Sequence, residues 1–506
     1  MTVRESVATA LARFGVRDAF GLVGSGNLEL ANALVTNGVS YHGLNHEASV
    51  VAAATGYARV SGSVGVATVH QGPGFTNTLT ALTEAVRART PLLLLAAESV
   101  AGNQSLDQVA VTESLGAVGM RLEDPADVTS AFARARDERR AVVLNLPLDV
   151  QRAQAPQEAP PLPPEPPALP GPSTDDLARL HEAVSGAERP VILAGRGALH
   201  AGEPLARLAD SWGAMLATTA AAHGLFAGHP RALGISGGFA LPYARRFLGA
   251  TDVVLVFGAS LNRWTTDGGQ LFREARLVQV DLERPAEGVP LWVQADALAT
   301  AEALELHGRG WNGALPSPDR AAFRDESTPE RIDPRTLMVE LDELLPADRG
   351  IVLDGGQFEG WPALYLTVRS PDQFVPSQAF QSIGLGLGTA IGACLAWRDR
   401  LTVAVIGDGG GRMSLTELEV AVRLKLPLLI VVMNDASYNA EVHDFGPLGV
   451  DVGLARLPDL DFAAVAQSLG APGATVRAAG DLQGFTNPDG PLLLDCKINP
   501  DVRGSW

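Results

Sequence analysis

The sequence predicts an α/β protein of three doubly wound domains, each with a parallel sheet between layers of helices. Two observations support this prediction. Short unbroken runs of Val, Ile and Leu alternate with Ala- and Leu-rich amphipathic segments, and two proline-containing stretches divide the chain into three blocks of similar length. Unbroken apolar runs indicate strands covered on both faces, which is typical of parallel sheets. A chain of 506 residues is long enough for three such domains.

The two stretches that separate the blocks are predicted linkers. Residues 154–172 are so rich in proline that they cannot pack a core, and residues 308–334 combine four prolines with many charges. They leave an N-terminal domain (1–153), a middle domain (173–307) and a C-terminal domain (335–506). The predicted strands are 63–69, 91–96 and 141–146 in the first domain, 190–193, 252–257 and 276–280 in the second, and 350–353, 401–406, 428–433 and 491–495 in the third.

Composition excludes several classes of function. Acidic residues outnumber basic residues 57 to 39, and the formal net charge of −18 argues against a general affinity for nucleic acid or anionic lipid. The only lysines, Lys425 and Lys497, stand in contexts that do not suit a Schiff base. Two cysteines cannot form a disulfide framework or a four-thiolate zinc site, and the apolar runs are too short to span a bilayer. We therefore expect a soluble protein of the reducing cytoplasm.

Two glycine-containing turns in the first two domains carry little functional signal. Gly21, Gly24 and Gly26 follow one apolar run, and Gly195 and Gly197 follow another. Their spacing differs from the Gly-x-Gly-x-x-Gly pattern of dinucleotide-binding loops. Because tight turns between strand and helix need glycine in any case, we interpret both as structural turns, although either could hold a phosphate.

The third domain carries a stronger pattern. The apolar run 403–406 ends in Gly407-Asp408-Gly409-Gly410-Gly411, a helical segment follows, and the next apolar run ends in Asn434-Asp435. Neighbouring parallel strands present their C-terminal ends at one edge of the sheet, so Asp408 and Asn434 should face the same volume. Glycine amides and a helix N-terminus favour a diphosphate, and a carboxylate beside a diphosphate requires a cation between them. Asp408, the Asn434 amide oxygen, a backbone carbonyl and phosphate oxygens would nearly complete the octahedron of Mg²⁺.

This segment resembles the Gly-Asp-Gly…Asn-Asn or Asn-Asp motif of enzymes that bind thiamine diphosphate, with 24 residues between Gly409 and Asn434. The whole chain then resembles the group of acetolactate synthase, benzaldehyde lyase and the 2-oxo acid decarboxylases. In that group a pyrimidine-binding domain, a middle domain and a diphosphate-binding domain follow one another in this order. The resemblance implies a thiamine diphosphate and Mg²⁺ cofactor, with Asp408, Asn434 and the carbonyl of Ala436 as metal ligands.

The resemblance extends to Glu47 in the first domain. His46-Glu47-Ala48 and the downstream Gly56-Tyr57-Ala58-Arg59 are similar to a pattern of the family, whose Glu contacts N1′ of the cofactor's pyrimidine. A carboxyl group at N1′ favours the imino tautomer, whose 4′ nitrogen can remove the thiazolium C2 proton. Without the resemblance, Glu47 would be an ordinary carboxylate in the first turn of a helix.

Two further loops complete the expected cofactor site. Ser382-Ile383-Gly384-Leu385-Gly386 matches the loop whose apolar side chain bends the cofactor, which implies that role for Ile383, and residues 354–357 resemble the loop that flanks the diphosphate. The predicted cofactor-binding residues are Gly24, Glu47, Gly72, Gln357, Ile383, Gly384, Gly407, Asp408, Gly409, Gly410, Asn434, Ala436 and Tyr438.

Two segments of the first domain should shape the reaction pocket. Residues 69–77 parallel the family's Ser-Gly-Pro-Gly-x-Thr-Asn loop but carry His70 and Gln71 in place of small polar residues. A His at about this place relays protons in members of the benzoylformate decarboxylase type, while a hydrogen-bonded loop residue is the equally open alternative. Gln108 lies in a segment that resembles the Asp-Gln-Val-Ala segment of benzaldehyde lyase, and we expect it to contact the substrate.

The chain departs from the synthases at two places. They carry Met-Val-Arg-Gln-Trp where this chain has residues 440–444, which puts acetolactate synthesis itself in doubt. The departure adds Glu441 and His443 as candidate pocket groups, with a solvated surface position as the alternative for both. In the middle domain, residues 258–264 differ from a matching stretch of the synthases' flavin-holding domain. Flavin adenine dinucleotide is therefore a candidate ligand whose absence is favoured.

The expected function is that of a thiamine diphosphate-dependent lyase or transferase. In the first interpretation, the enzyme decarboxylates a 2-oxo acid and then protonates the acyl-anion equivalent or transfers it to an acceptor carbonyl. A benzaldehyde lyase-like enzyme that acts on 2-hydroxy ketones without decarboxylation is the alternative, and a non-catalytic thiamine diphosphate-binding protein is a remote one. Since family members combine the two halves of each site from different chains, the resemblance also implies a homodimer or a dimer of dimers.

Overall fold

The computed structural model describes residues 1–285, 288–311, 323–483 and 490–504. It contains three six-stranded sheets, one in each predicted block, and all the strand pairs within them are parallel. The predicted fold class is confirmed. The boundaries drawn from composition remain predictions, and residues 312–322 of the second predicted linker lie outside the described residues.

The first sheet has the strand order β2-β1-β3-β4-β6-β5. Its strands are β1 (Asp18–Gly21), β2 (Ser40–Gly43), β3 (Gly65–Val69), β4 (Leu92–Glu98), β5 (Val118–Arg121) and β6 (Ala141–Pro147). The helices around it are α1 (Val3–Arg13), α2 (Leu28–Thr36), α3 (Glu47–Ser61), α4 (Pro73–Thr76), α5 (Leu79–Arg87), α6 (Gln108–Ser114), α7 (Asp127–Asp137) and α8 (Leu148–Arg152). The three predicted strands became β3, β4 and β6, which are buried along their whole length.

The middle sheet has the order β12-β11-β10-β7-β8-β9. Its strands are β7 (Pro190–Ala194), β8 (Met215–Thr218), β9 (Ala232–Ile235), β10 (Val253–Phe257), β11 (Arg276–Val280) and β12 (Leu291–Val293). The helices are α9 (Thr174–Val184), α10 (Gly202–Trp212), α11 (Pro242–Gly249), α12 (Arg263–Thr266) and α13 (Ala297–Ala303). A 3₁₀ helix, Arg196–Ala201, follows β7 directly, so the glycines at 195 and 197 form the tight turn that was predicted.

The third sheet has the order β14-β13-β15-β16-β18-β17. Its strands are β13 (Gly350–Leu353), β14 (Phe374–Pro376), β15 (Thr402–Gly407), β16 (Leu428–Asn434), β17 (Gly473–Val476) and β18 (Leu492–Lys497). The helices are α14 (Pro334–Leu344), α15 (Gly360–Tyr365), α16 (Gly386–Trp397), α17 (Asp408–Ser414), α18 (Leu418–Leu424), α19 (Asn439–Phe445) and α20 (Phe462–Ser468). Strands β15 and β16 are direct neighbours, with Gly407 opposite Met433, so their C-terminal ends lie side by side.

The first and third domains share one hydrophobic core through helices α3 and α16. Their backbones approach so closely that a Cβ on Gly56 would overlap the carbonyl oxygen of Thr389, and one on Gly392 would overlap that of Ala53. Glycine is required at both positions because any side chain would separate the helices. This docking fixes the orientation of the two domains that carry the predicted site residues.

The proline-rich stretch after the first domain runs along the surface of that domain. The Arg13 side chain donates to the carbonyl of Pro160 at 2.9 Å, and the Thr129 hydroxyl donates to that of Pro161 at 2.8 Å. Among the described residues, no helix has the length and apolar character needed to cross a membrane.

Candidate active site

Two acidic side chains lie side by side at the C-terminal edge of the third sheet. Asp408 begins α17 directly after β15, and Asp435 follows β16. Both line a cavity of about 1420 Å³ whose walls come from all three domains. Asp408 is only 2 % exposed, and its Oδ2 atom has no hydrogen-bond partner in the described part of the chain. A buried carboxylate oxygen without a protein partner indicates a binding site for a ligand or metal ion.

The electrostatics of this pair fit a divalent cation. Burial, and after it the negative charge of Asp435, raises the pKa of Asp408 to about 7. Burial likewise raises the pKa of Asp435 to about 6. Two neighbouring buried carboxylates disfavour each other's ionised form, and a cation bound between them would remove that cost. Mg²⁺ takes carboxylate, carbonyl and phosphate oxygens, which suits this pair beside a glycine turn.

The residues predicted as metal ligands after β16 do not line the cavity, whereas the residues one position further along the chain do. Asn434 does not line the cavity: its amide nitrogen donates to Asp495 at 2.8 Å and to the carbonyl of Leu460 at 3.2 Å, and its amide oxygen accepts from the backbone of Ala436. The carbonyl of Ala436 accepts from the amide of Leu457 at 2.7 Å. The cavity is instead lined by the next residue in each case, Asp435 and Ser437.

The reason for this shift is the geometry at the end of the strand. Asn434 is the last residue of β16 and is fully buried between the sheet and the segment that carries Leu460. Beyond it, Ala436 adopts a left-handed backbone conformation with φ of 58°. The chain therefore turns, and Asp435 and Ser437 lie at the cavity surface. The sequence pattern predicts a site at this Asn-Asp pair, and in the structure the second member of the pair lies at the cavity surface.

Glycines on the turn after β15 keep the cavity open. Gly407, Gly409 and Gly410 all line it. A Cβ on Gly410 would overlap the carboxylate of Asp354, and one on Gly409 would lie 2.7 Å from the ring of Tyr438. The space beside Asp408 is thus bounded by backbone rather than by side chains, which suits the close approach of a phosphate group.

The predicted wedge loop is fixed next to this turn by Asp354. The buried Asp354 carboxylate accepts from the amides of Gly384 at 2.8 Å, Leu385 at 3.1 Å and Gly386 at 3.0 Å. Gly384 has a φ of +87°, a conformation that requires glycine there. Ile383 is half-buried and lines the cavity, with its Cδ1 atom 3.7 Å from the position of a Cβ on Gly409. Its predicted place beside the diphosphate turn agrees with the structure, while its wedge role stays a prediction.

Gln357 lines the same cavity from a 3₁₀ helix, Gln357–Glu359. The neighbouring Glu359 also lines it and was not singled out in the sequence. Burial, followed by the negative charges of Asp354 and Glu84, raises the pKa of Glu359 well above its usual value.

Glu47 is the first residue of α3 and does not line the cavity around Asp408. Its Oε2 atom accepts from the side-chain amide of Asn77 at 3.0 Å. A Cβ on Gly74 would lie 3.4 Å from its Oε1 atom, so Gly74 leaves that oxygen accessible. Asn77 and Gly74 both belong to the loop that was predicted to shape the pocket, and the structure adds Asn77 as the group that holds Glu47.

His70 and Gln71 occupy the space above the glycine turn after β1. A Cβ on Gly24 would lie 2.8 Å from the ring of His70, and one on Gly26 would overlap the amide oxygen of Gln71. These glycines therefore make room for the two side chains, and the predicted role of Gly24 in cofactor binding stays a prediction. The amide of Gly26 donates to Nδ1 of His70 at 3.2 Å, so a neutral His70 carries its proton on Nε2. Gln71 donates to Gln104 at 2.9 Å.

Gln108 is buried and engaged within its own domain. Its amide nitrogen donates to the carbonyl of Ala97 at 3.1 Å and to Asn145 at 2.7 Å, and its amide oxygen accepts from the amide of Gly72 at 3.2 Å. Gly72 has a φ of 59° and lies within the pocket loop, directly before α4. Both amide hydrogens of Gln108 are thus in use, so a contact with substrate would have to exchange one of these bonds. In the structure, Gln108 instead supports the loop through Gly72.

The segment after β16 completes the cavity on the side of the C-terminus. Tyr438, Glu441 and His443 line it together with Arg503, and their predicted roles toward cofactor and substrate stay predictions. His443 donates through Nε2 to the carbonyl of Pro500 at 2.9 Å. Burial lowers the pKa of His443 below its usual value, which keeps the ring neutral near pH 7.

The cavity continues into the middle domain along the C-terminal ends of its strands, past Gly258 and Asp281. Arg196 crosses this part and donates to the carbonyl of Ala88 in the first domain. Burial, and then the nearby positive charges of Arg59, Arg139 and Arg89, lowers the pKa of Arg196 to about 9. An arginine-rich cleft suits phosphate groups in general rather than flavin in particular. The expected absence of flavin therefore stays a prediction.

Within one chain the predicted site residues form two groups. The diphosphate group around Asp408 lines the cavity described above, whereas Glu47, His70, Gln71 and Gln108 are not among its lining residues. The described residues contain no cluster of three His, Cys, Asp or Glu side chains that could hold a metal ion. A cation at Asp408 and Asp435 would thus depend on backbone oxygen and on a phosphate ligand.

Comparisons with known proteins agree with this architecture. Three family models match in order: the N-terminal TPP binding domain of thiamine pyrophosphate enzymes at residues 1–119, the central domain at 177–304 and the C-terminal TPP binding domain at 354–495. The chain belongs to the thiamine pyrophosphate enzyme family, and as a member it is a thiamine pyrophosphate-dependent enzyme. Thiamine pyrophosphate is the thiamine diphosphate expected from the sequence.

Individual relatives differ in the reactions that their names state. Acetolactate synthase 2 of Zea mays is 28 % identical and matches over 96 % of this chain and 84 % of its own. 2-Hydroxyacyl-CoA lyase 2 of Bos taurus is 28 % identical, and the match covers 98 % of this chain and 89 % of the relative. A probable 2-ketoarginine decarboxylase of Pseudomonas aeruginosa is also 28 % identical, and the match covers 95 % of this chain and 90 % of the relative. The thiamine diphosphate-dependent 4-hydroxybenzoylformate decarboxylase of Rhodococcus jostii shares the fold, with a TM-score of 0.87, 24 % identity and 99 % of each chain covered.

Proposed function

We propose that this enzyme decarboxylates a 2-oxo acid and either protonates the resulting acyl-anion equivalent or transfers it to a carbonyl acceptor. The observation that carries the proposal is the partnerless Oδ2 atom of Asp408, buried beside Asp435 at a glycine turn. That arrangement suits Mg²⁺ and a diphosphate, and the family supplies a thiamine cofactor that carries both. Bound thiamine diphosphate supplies an acidic thiazolium carbon that can add to a carbonyl group.

The cofactor would be held mainly by the third domain. We propose Asp408, Asp435 and the carbonyl of Ser437 as the protein ligands of Mg²⁺, in place of the Asn434 and Ala436 predicted from the sequence. Both replacements line the cavity, and no hydrogen bond to the Ser437 carbonyl is found in the described part of the chain. The turn of Gly407, Gly409 and Gly410 would receive the diphosphate.

Two side chains of the first domain would act on protons, and a third would support the loop beside them. Glu47 would hold a proton at N1′ of the pyrimidine, and the hydrogen bond from Asn77 to its Oε2 atom leaves Oε1 for that contact. His70 would offer the proton on Nε2 to the substrate, because Nδ1 already accepts from Gly26. Gln108 would keep the loop at Gly72 in place rather than contact the substrate. Gln71, Glu441 and His443 are the candidate groups around the substrate.

The site would be complete only in an oligomer. Within one chain, Glu47 does not line the cavity that contains Asp408. We infer that Glu47 of one chain faces Asp408 of another in a homodimer or a dimer of dimers, which creates equivalent sites related by symmetry. The names of the relatives include a lyase and a decarboxylase, so cleavage of a 2-hydroxy ketone remains the second candidate reaction.

A product assay decides between these reactions. The purified enzyme with Mg²⁺ and thiamine diphosphate is given a panel of 2-oxo acids, with and without aldehyde acceptors, and carbon dioxide and carbonyl products are measured. We expect carbon dioxide from at least one acid and, with an acceptor, a 2-hydroxy ketone. If no acid releases carbon dioxide while a 2-hydroxy ketone such as benzoin is cleaved, the decarboxylase proposal is overturned in favour of the lyase.

A further inference from the structure

The loop in front of α3 is bound by a carboxylate from the third domain. The backbone amide of Asn45 donates to both carboxylate oxygens of Glu417, at 3.2 Å and 3.1 Å. The side-chain amide of Asn45 donates to the carbonyl of Thr416 at 2.9 Å. Asn45 stands two residues before Glu47, so this contact joins the third domain to the start of the helix that carries the N1′ carboxylate.

Glu417 is fully buried and closes a 3₁₀ helix, Leu415–Glu417, between α17 and α18. It does not line the cavity around Asp408, so its carboxylate serves neither the cation nor the diphosphate there. Burial raises its pKa, and hydrogen bonds from the backbone of Asn45, the hydroxyl of Ser49 and the backbone of His46 act in the opposite direction. All three donors belong to the N-terminal end of α3.

A carboxylate in this place does two things for α3. It accepts hydrogen bonds from amides at the helix start, which have no partner within the helix, and it adds negative charge at the positive end of the helix dipole. The backbone amide of Ala48, within the first turn, donates to Nδ1 of the His46 side chain at 3.0 Å. The first turn of α3 is therefore fixed from outside by Glu417 and locally by His46, and Glu47 lies in that turn.

Two side chains, Asn77 and Glu417, together fix where the Glu47 carboxyl group lies. Asn77 holds its Oε2 atom from within the first domain, and Glu417 fixes the backbone from which the side chain extends. We propose that Glu417 is a positioning residue for Glu47. This inference rests on the proposed role of Glu47 at N1′, and it goes beyond that role because it assigns part of the catalytic geometry to a residue outside the cofactor cavity.

Glu417→Gln tests the proposal, with Glu419→Gln as the matched control. Glu419 is two residues away, pairs with Arg423 at 3.2 Å and reaches Asn45 only through that residue's side-chain amide, at 3.5 Å. Its change therefore removes the same charge without removing a hydrogen bond from the backbone amide of Asn45. Two measurements are needed: amide hydrogen exchange at residues 45–46 in the cofactor-free protein, and hydrogen–deuterium exchange at C2 of thiamine diphosphate bound with Mg²⁺. Cofactor affinity is measured alongside by titration.

We expect Glu417→Gln to speed amide exchange at residues 45–46 by about tenfold or more, because a hydrogen bond to a charged acceptor is lost. C2 exchange should fall by about tenfold or more, because a small displacement of a catalytic group is costly. Cofactor affinity should change by less than about threefold, since Glu417 lies outside the cavity, and Glu419→Gln should match the wild type in all three.

Faster amide exchange with an unchanged C2 rate would overturn the proposal and leave Glu417 as a contact between domains. Unchanged amide exchange would overturn it too, because Glu417 would then not hold the helix start. Failure of the proposed function gives a different result: wild-type protein would not bind the cofactor, or Glu47→Gln would leave C2 exchange unchanged.

Discussion

At the scale of single residues, the structure distinguishes two adjacent candidate metal ligands that are equivalent in the sequence. Asn434 and Asp435 are adjacent oxygen-bearing side chains after the same strand, and either could be a magnesium ligand by residue type. The Asn434 side-chain amide donates hydrogen bonds to Asp495 and to the carbonyl of Leu460. Asp435, in contrast, lines the cavity together with Asp408. Removal of the Asp435 side chain should therefore affect cofactor binding, and removal of the Asn434 side chain should affect stability.

Asp435→Ala and Asn434→Ala separate a ligand from a structural residue. Asp435→Ala should weaken Mg²⁺-dependent binding of thiamine diphosphate by about tenfold or more without loss of stability, because it removes a charged oxygen ligand and a buried like charge. Asn434→Ala should lower the free energy of unfolding by about 1–3 kcal/mol, because buried partners lose their hydrogen bonds. Calorimetric titration and urea unfolding measure the two effects. The reverse pattern would restore Asn434 as the ligand.

Glu47→Gln tests the proton at N1′. The change keeps the size and a hydrogen bond but removes the carboxyl proton, so C2 hydrogen–deuterium exchange of the bound cofactor should slow by about a hundredfold or more. Cofactor binding should persist, because the diphosphate and metal groups belong to another domain. The exposed Glu113→Gln is the control on α6. Equal C2 exchange in Glu47→Gln and wild type would make Glu47 only a helix-start carboxylate, with His70 the next candidate.

The residue types of the site were predictable from the sequence, but the partners of those residues were not. Asp408 and Glu47 stand in patterns whose chemistry can be argued locally. Asn77 and Glu417, by contrast, act through hydrogen bonds to residues 30 and 372 positions away, and no local pattern shows such a pairing. Gln108 was predicted at the substrate because its position resembles a pocket residue, yet its amide is used inside the domain.

At the scale of elements, the position of a strand in its sheet largely decided what could be predicted. The ten predicted strands were apolar runs, and the structure contains strands at all ten places. The eight described strands that were not predicted include all six edge strands, such as β2 (Ser40–Gly43) and β12 (Leu291–Val293), and two internal strands of four residues each, β1 and β8. An edge strand is covered on fewer sides, so it needs no long apolar run, and its pairing is visible only in the assembled sheet.

The docking of α3 on α16 offers a prediction at this scale. Gly392→Ala would place a methyl group on the carbonyl oxygen of Ala53, and the two helices would have to separate. We expect the free energy of unfolding to fall by about 1–3 kcal/mol, as is typical when a packed core is overfilled. This difference is measured by urea unfolding of the variant and the wild type.

Gly249→Ala is the control for this substitution. Gly249 ends α11, and a Cβ there would meet nothing within 4 Å, so its stability should match or slightly exceed that of the wild type. If Gly392→Ala is as stable as Gly249→Ala, the close approach of α3 and α16 is not a constraint on the fold.

At the scale of the whole molecule, the two groups of residues proposed to form one site have different surroundings within the chain. The half with Asp408 lines the cavity shared by three domains, and the half with Glu47 is absent from that lining. The docking of α3 on α16 fixes the relative position of the two domains that carry these residues. In the proposed symmetric pair of chains, Glu47 of one chain would meet Asp408 of the other with this shared core left intact.

Mixing two inactive variants tests this arrangement. Glu47→Gln leaves the diphosphate half intact, and Asp408→Ala leaves the pyrimidine half intact. In a heterodimer of the two, one site receives both altered residues and the other receives neither, so activity should return to roughly a quarter of the wild-type level after random exchange of chains, given half hybrids with one of two sites each. Carbon dioxide release or C2 exchange measures the recovery, and two parents re-mixed with themselves are the controls. A mixture that has exchanged subunits, as shown by mass spectrometry of tagged chains, yet stays as inactive as either parent would place Glu47 and Asp408 of each site on the same chain.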